Sequence, residues 1–302
     1  MTTVQTVRLG DVEITRIEEF TGPAPATPGY LFPDSAPELW SANASWLDPD
    51  FYDAATGHLR SVLQTWLIRS AGATILVDTG AGNGKERPHA PVYGHRDTAY
   101  LANLAAAGVL PEDVDFVVNT HLHVDHVGWN TRLANREWVP TFPNARYLMP
   151  SADFAFWNPA VNPRPPGDGN QHVFEDSVAP VHRAGLTVLW DDEFRIDSRL
   201  RLEAAPGHTP GSSVLRLASG GEGALFVGDI LHNPVQVLDP DVNSCFCEDA
   251  AGARATRRRL LAEAAESHLL LFPGHFGGGS ACHVSPAGDG FSITGWAPFP
   301  RI

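Results

Sequence analysis

The sequence predicts an α/β domain built from layered, mixed β-sheets. Three observations carry that expectation. Apolar, strand-like runs dominate from about residue 61 onward, helical stretches intervene, and hairpin spacing mixes with βα spacing. The opening VRLGDVEITRIEEF alternates apolar and polar residues around a Gly-Asp turn and reads as a β-hairpin. SVLQTWLIRS and ATILVDTG follow as two strands that meet at Ser70-Ala71-Gly72. TAYLANLAAAGV is helical, with Leu101 and Leu104 on one face and Gly108 as its stop. DFVVNT reads as a short buried strand, and ARYLMP, LTVLW, LRLEAAPG, SSVLRLAS, ALFVGD and LLLFPGH as further strands. The clearest helix is DAAGARATRRRLLAEAAES, with Asp249 as N-cap and Leu260, Leu261 and Ala264 turned inward.

Residues 1–302 read as one domain, since no repeat, low-complexity tract or linker divides them. The irregular stretch 22–60 is rich in Pro and aromatics, including Tyr30, Phe32, Trp40, Trp46, Phe51 and Tyr52. It is expected to act as a lid or a dimer contact, with plain core packing as the alternative. A chain of 302 residues, 43 % of them hydrophobic, has enough apolar surface for a sizeable core and excludes disorder. No apolar run reaches the ~18 residues of a membrane span. The N-terminus lacks an apolar export segment, so a cytoplasmic location is expected. The three cysteines cannot close a disulfide framework, which fits a reducing compartment. A formal net charge of −14 repels phosphate backbones. The expected partner is therefore a small-molecule substrate, not nucleic acid or a membrane.

The informative segment is Thr120-His121-Leu122-His123-Val124-Asp125-His126. His121 and His123, two apart on extended chain, point the same way and can converge on one ion. A tight turn then swings Asp125 and His126 towards a second point. Imidazole nitrogen and carboxylate oxygen are donors that zinc accepts. A polar loop of solvated histidines is the plainer alternative, and the position at a strand end weighs against it. Three further strand ends supply matching donors: His208 from RLEAAPGHTPGS, Asp229 from ALFVGD and His275 from LLLFPGH. Shared out, His121, His123 and His208 serve one ion, Asp125, His126 and His275 the other, and Asp229 bridges them.

Other residues carry less. Cys245-Phe246-Cys247 with Cys282 lacks the spacing of a structural zinc site, and partly buried packing is the expectation. His232, three residues past Asp229, is a candidate for the substrate pocket, as are Trp129, Phe276 and Trp157, against solvation or core packing. Arg257-Arg258-Arg259 is expected on an exposed helix face, too short for a nucleic-acid patch. His89, His95, His172, His182 and His268 fall in no usable pattern.

The order HxHxDH at His121 to His126, then Gly207-His208, Gly228-Asp229 and Gly274-His275, resembles the metallo-β-lactamase superfamily across roughly residues 60 to 280. Within it, Val127-Gly128 after His126 and His275 as a seventh ligand are similar to the lactonase, arylesterase and methyl-parathion-hydrolase-like branch. Trp129-Asn130-Thr131 departs from the Gly-Gly that many lactonases show there. The resemblance implies a four-layer αβ/βα sandwich of two mixed sheets flanked by helices. It also implies that Asp78 of ILVDTG steadies a metal-bound histidine, and that the protein forms a homodimer. The expected function is a dinuclear-metal hydrolase of a small ester or lactone, or a phosphotriester, using a metal-bridging hydroxide. Asp125 would also move the proton. Two divalent ions are implied, zinc foremost, with iron, manganese or cobalt as alternatives. A thioesterase acting on a carrier-bound acyl chain, or an iron-dependent oxidative enzyme, stands as the competing reading.

Overall fold

The alternation along the chain builds two facing sheets in the computed structural model, which describes residues 5–24 and 26–299. Both ends of the expected domain, and residue 25 of the 22–60 stretch, lie outside the described residues. The opening hairpin pairs β1 (Gln5–Leu9) with β2 (Val12–Pro23). Its turn uses Gly10 at φ +54°, a conformation open to a residue without Cβ. The first sheet continues with β3 (Tyr52–Asp53), β4 (His58–Ser70), β5 (Ala73–Val77) and β6 (Phe116–Val118). A separate hairpin, β7 (Thr131–Ala134) and β8 (Glu137–Pro140), precedes β9 (Arg146–Pro150) and β10 (Thr187–Trp190). The sheet order is β1-β2-β4-β5-β6-β9-β10, with β3 beside β4. The second sheet runs in chain order: β11 (Glu193–Arg195), β12 (Leu200–Ala204), β13 (Ser213–Ser219), β14 (Glu222–Gly228), β15 (Leu270–Pro273), β16 (Cys282–Ala287) and β17 (Gly290–Trp296). Both sheets are mixed: β5, β6, β9 and β10 are parallel neighbours in one, and β14 and β15 in the other.

Period-two burial makes the layers. Ile75, Val77, Val118 and Leu148 of the first sheet meet Leu215, Phe226 and Phe272 of the second in the central core. Alternate residues face outward. Leu76, Val117 and Tyr147 pack with Tyr100 and Leu104 of the helix Tyr100–Ala106. Val214, Leu225 and Leu271 pack with Leu260, Leu261 and Ala264 of the helix Ala250–Glu266. Asp249 caps that helix by accepting from the amides of Ala251 and Gly252. The result is the helix–sheet–sheet–helix sandwich expected of the sequence.

Two expectations need correction. Arg257 is not on an exposed face: it is fully buried and donates to the carbonyls of Ile230, Pro240 and Val242 and to Asn243 Oδ1. It lies on the same helical stripe as Leu261 and Ala264, so periodicity overrides charge. Arg258 does reach solvent and pairs with Asp241. The 22–60 stretch, read as irregular, holds three short helices, Pro28–Leu31, Pro37–Ser41 and Ala44–Leu47, two of them opened by a proline. Phe32, Trp40, Leu47 and Phe51 from it are buried in the core, whereas Tyr30 is 64 % exposed. Among the described residues no helix is long and apolar enough to cross a membrane.

Candidate metal centre

The carboxyl ends of β5, β6, β14 and β15 converge, and each releases a polar residue there: Asp78, the His121–His126 loop, Asp229 and His275. The β12–β13 loop adds His208. Close backbone approach makes this possible. Gly228 sits at φ +47°, and a Cβ on it would meet Thr120 Oγ1 at 2.6 Å. Gly207, at φ +139°, would strike the Ala253 amide at 2.3 Å. Asp153 ties the two histidine loops together, accepting from Leu122 N (2.9 Å), Gly211 N (2.6 Å) and Thr209 Oγ1 (3.0 Å).

All seven residues expected to ligate are brought together. Two groups of donor atoms form, His121, His123, His208 and Asp229 in one and Asp125, His126 and His275 in the other, with the atoms of each group within 4.8 Å of one another. Asp229 joins them. Its Oδ2 lies 3.3 Å from His208 Nε2 and 3.6 Å from His121 Nε2, and its Oδ1 lies 3.2 and 3.1 Å from Nε2 of His126 and His275.

Hydrogen bonds outside the cluster fix where three of the imidazoles, His121, His126 and His275, carry their proton when neutral. Asp78 Oδ2 accepts from His126 Nδ1 (2.9 Å) and from the Thr120 hydroxyl (2.8 Å). Because that hydroxyl is a donor to Asp78, its oxygen accepts from His121 Nδ1 at 3.1 Å. His275 Nδ1 donates to the Val62 carbonyl at 2.8 Å. His208 Nδ1 faces Cys247 Sγ at 3.8 Å. In the neutral rings of His121, His126 and His275, Nε2 is thereby left as a lone pair turned inward. The inward nitrogens crowd: His121 Nε2 and His208 Nε2 lie 3.1 and 3.0 Å from His123 Nδ1, and His126 Nε2 lies 3.2 Å from His275 Nε2. Among the described residues, the fully buried Asp229 Oδ1 finds no hydrogen-bond donor. Converging lone pairs around an orphaned carboxylate oxygen are the donor set of divalent cations, and the residues fit two ions.

The electrostatics divide the cluster, with His126 and His275 raised by the charge on Asp229 against the effect of burial. Burial and the neighbouring imidazoles hold His121 and His123 well below the ordinary histidine range. Burial opposes charge on Asp229, yet His126 and His275 outweigh it and hold the carboxyl well below the usual range. For His208 burial works downward, but hydrogen bonding to Asp229 and Cys247 lifts it to about 9.

The pocket candidates divide. Trp129 is buried against the Tyr100 ring at 5.2 Å, with its N–H donated to Glu19 Oε1 at 2.8 Å, so its indole serves the core. Phe276 is also buried, edge-on to Phe51 at 5.8 Å. Trp157 is buried too, yet its ring lies 5.1 Å from that of His123. His232 joins the cluster, with Nε2 3.1 Å from Asp229 Oδ2. Of the partly buried packing expected for the Cys245–Cys247 turn, Cys247 is half-buried and reaches His208, whereas Cys245 is exposed and Phe246 is 50 % exposed. Cys282 is buried in the core. Sequence reasoning missed Tyr93, whose hydroxyl donates to Asp125 Oδ2 at 2.9 Å, and Asp153. Tyr93 ends the short 3-10 turn Pro91–Tyr93, which carries no periodic signal, and Asp153 lies in a helix whose partners are remote in sequence.

Residues 63–275 match the family model described as the metallo-beta-lactamase superfamily. The N-acyl homoserine lactonase AttM of Azorhizobium caulinodans is 32 % identical over 41 % of the chain, a stretch that covers 44 % of that lactonase. Metallo-beta-lactamase domain-containing protein 1 of Homo sapiens is 29 % identical over 82 % of the chain and 77 % of its own length. Two solved structures share the fold. One is the hydrolase AbOPH of the beta lactamase superfamily, with TM-score 0.79, 24 % identity, and coverage of 100 % of this chain and 98 % of its own. The other is AidC, a dizinc quorum-quenching lactonase, with TM-score 0.77, 21 % identity, and coverage of 99 % and 97 %.

Proposed function

Because the chain belongs to the metallo-β-lactamase superfamily, we propose that it is a dinuclear-metal hydrolase that opens an ester or lactone of a small molecule. The observation that carries this reading is Asp229, whose two oxygens each face a separate group of imidazole lone pairs. His121, His123 and His208 would hold one ion, Asp125, His126 and His275 the other, with Asp229 between them. The nitrogen-and-carboxylate donor set favours zinc. Two such ions, when bound, polarise the oxygen of an electrophilic carbonyl or phosphoryl group and acidify water at neutral pH.

The chain supplies the rest. Asp78 and Val62 hold His126 and His275 in the tautomer that presents Nε2. Asp125 keeps one oxygen on Tyr93, and its carboxylate would take a proton from the attacking water and return it to the leaving oxygen. Phe32, buried and edge-on to His232 at 6.5 Å, packs the 22–60 stretch against the rim of the centre. The lactonase AttM and the lactonase AidC support a lactone as the first substrate class to try.

The test is elemental analysis of protein purified without added metal or chelator, beside a panel of lactones, aryl esters, thioesters and phosphotriesters. Two zinc per chain and turnover of a lactone or ester, both abolished in Asp229→Ala, are the expected result. One iron per chain with oxygen uptake would replace the proposal with oxidative chemistry.

A further inference from the structure

We infer that His232 is the positioning residue of Asp229, holding the shared carboxylate from the protein side by donating a proton to Oδ2. The inference rests on the dinuclear reading above and deepens it.

Three of the histidines proposed as ligands, His121, His126 and His275, share one arrangement: Nδ1 is engaged outward and Nε2 faces inward as the lone pair of the neutral ring. His232 reverses it. Its Nε2 faces Asp229 Oδ2 at 3.1 Å, with Ser244 Oγ at 3.4 Å, and its Nδ1 is buried with no hydrogen-bond partner among the described residues. Nothing on the Nδ1 side accepts a proton, while a carboxylate oxygen accepts on the Nε2 side. The neutral ring therefore carries its hydrogen on Nε2 and aims it at Oδ2.

The ring itself is held still. The backbone N–H of His232 donates to Gln236 Oε1 at 2.7 Å, and Gln236 Nε2 donates to the Val242 carbonyl at 3.1 Å. Phe32 closes on it edge-on, and the ring lies 4.9 Å from that of His208. The same Ser244 turn that touches His232 continues to Cys247 beside His208. A donor fixed this firmly biases Asp229 Oδ2 and leaves Oδ1, which has no donor, for the His126 and His275 side. His232 is thus distinguished from the ligands by where its proton sits.

The test compares wild type, His232→Ala and His232→Gln, each loaded with zinc and challenged with graded chelator, with thermal unfolding followed alongside. Residual zinc per chain is read directly, and cobalt-substituted protein gives a visible spectrum of the centre. His232→Ala is expected to lose zinc at about tenfold lower chelator concentration, the usual cost of removing a partner that orients a metal ligand, with an altered cobalt spectrum. His232→Gln, whose amide can donate to Oδ2, should recover most of that loss. A Gln variant as leaky as Ala, or an Ala variant with wild-type retention and spectrum, would overturn the assignment. Wild-type protein that takes up no zinc would overturn the dinuclear reading instead, so the two failures are distinct. If His232→Ala does not fold, the Gln variant alone decides: wild-type-like retention supports the donor role, and tenfold loss with an unchanged melting point refutes it.

Discussion

The Tyr93 hydroxyl donates to Asp125 Oδ2 across 2.9 Å, joining the short 3-10 turn Pro91–Tyr93 to the carboxylate proposed for proton transfer. Burial lifts the phenol well above its ordinary range and Asp125 adds to the lift, so Tyr93 stays protonated and remains a donor. Tyr93→Phe is expected to lower kcat by about 10- to 100-fold with a smaller change in KM, the scale of a lost hydrogen bond to a charged group. Steady-state kinetics on the best substrate of the panel would show it, and an unchanged kcat would remove Tyr93 from the account.

Asp153 accepts three hydrogen bonds while fully buried. An amide has one acceptor oxygen, and its NH₂ would oppose a donor. Asp153→Asn should therefore cost about 1–3 kcal/mol of stability. It should also weaken zinc retention, because the loops carrying His121 and His208 lose their common anchor. Denaturant unfolding and zinc content, measured on the same samples, check both halves.

Arg257 is the buried cation whose loss should be felt most. Arg257→Met leaves the carbonyls of Ile230, Pro240 and Val242 without their donor. A loss of roughly 3–5 kcal/mol is expected, visible as a lowered denaturation midpoint. A variant within 1 kcal/mol of wild type, on the scale of surface substitutions, would show that water or a shifted loop satisfies those carbonyls.

Lys85 supplies a pH test away from the centre. It is buried, donates to Thr131 Oγ1 at 2.6 Å and lies 3.5 Å from Asp176. Burial lowers its ammonium from the ordinary 10.5 to about 7, with Asp176 only partly opposing. Between those values the unfolded chain binds the proton that the folded chain has released. Stability therefore rises with pH from about 7 towards 10. Lys85→Met removes this slope, so wild-type stability should gain on the variant as pH rises through that window. Urea titrations at several pH values would reveal parallel curves if Lys85 titrates normally.

Much of the centre was legible because its chemistry is local. His121, His123, Asp125 and His126 sit within one short turn, and the remaining donors each end an apolar strand, a pattern that few residues interrupt. What escaped depends on distance or disguise. Trp129 could be assigned to the core only by knowing Glu19, which lies far away in sequence. Arg257 occupies a position that helical periodicity marks as internal, and its charge concealed that. The β16–β17 hairpin went unread because Pro286 and Gly288 break its apolar pattern, although its strands pair across most of their length. The short helices of 22–60 announced themselves only through Pro28 and Pro37 at their starts.

Asp78 Oδ2 receives both the His126 imidazole and, through the Thr120 hydroxyl, the residue that orients His121. One oxygen thus steers a donor in each of the two proposed ion sites. The two halves of the centre cannot be retuned independently from this side. An engineer who alters Asp78 to change the metal preference of one half will shift the other in the same move, and selective redesign must begin from Val62 or Cys247, each of which touches a single ligand histidine.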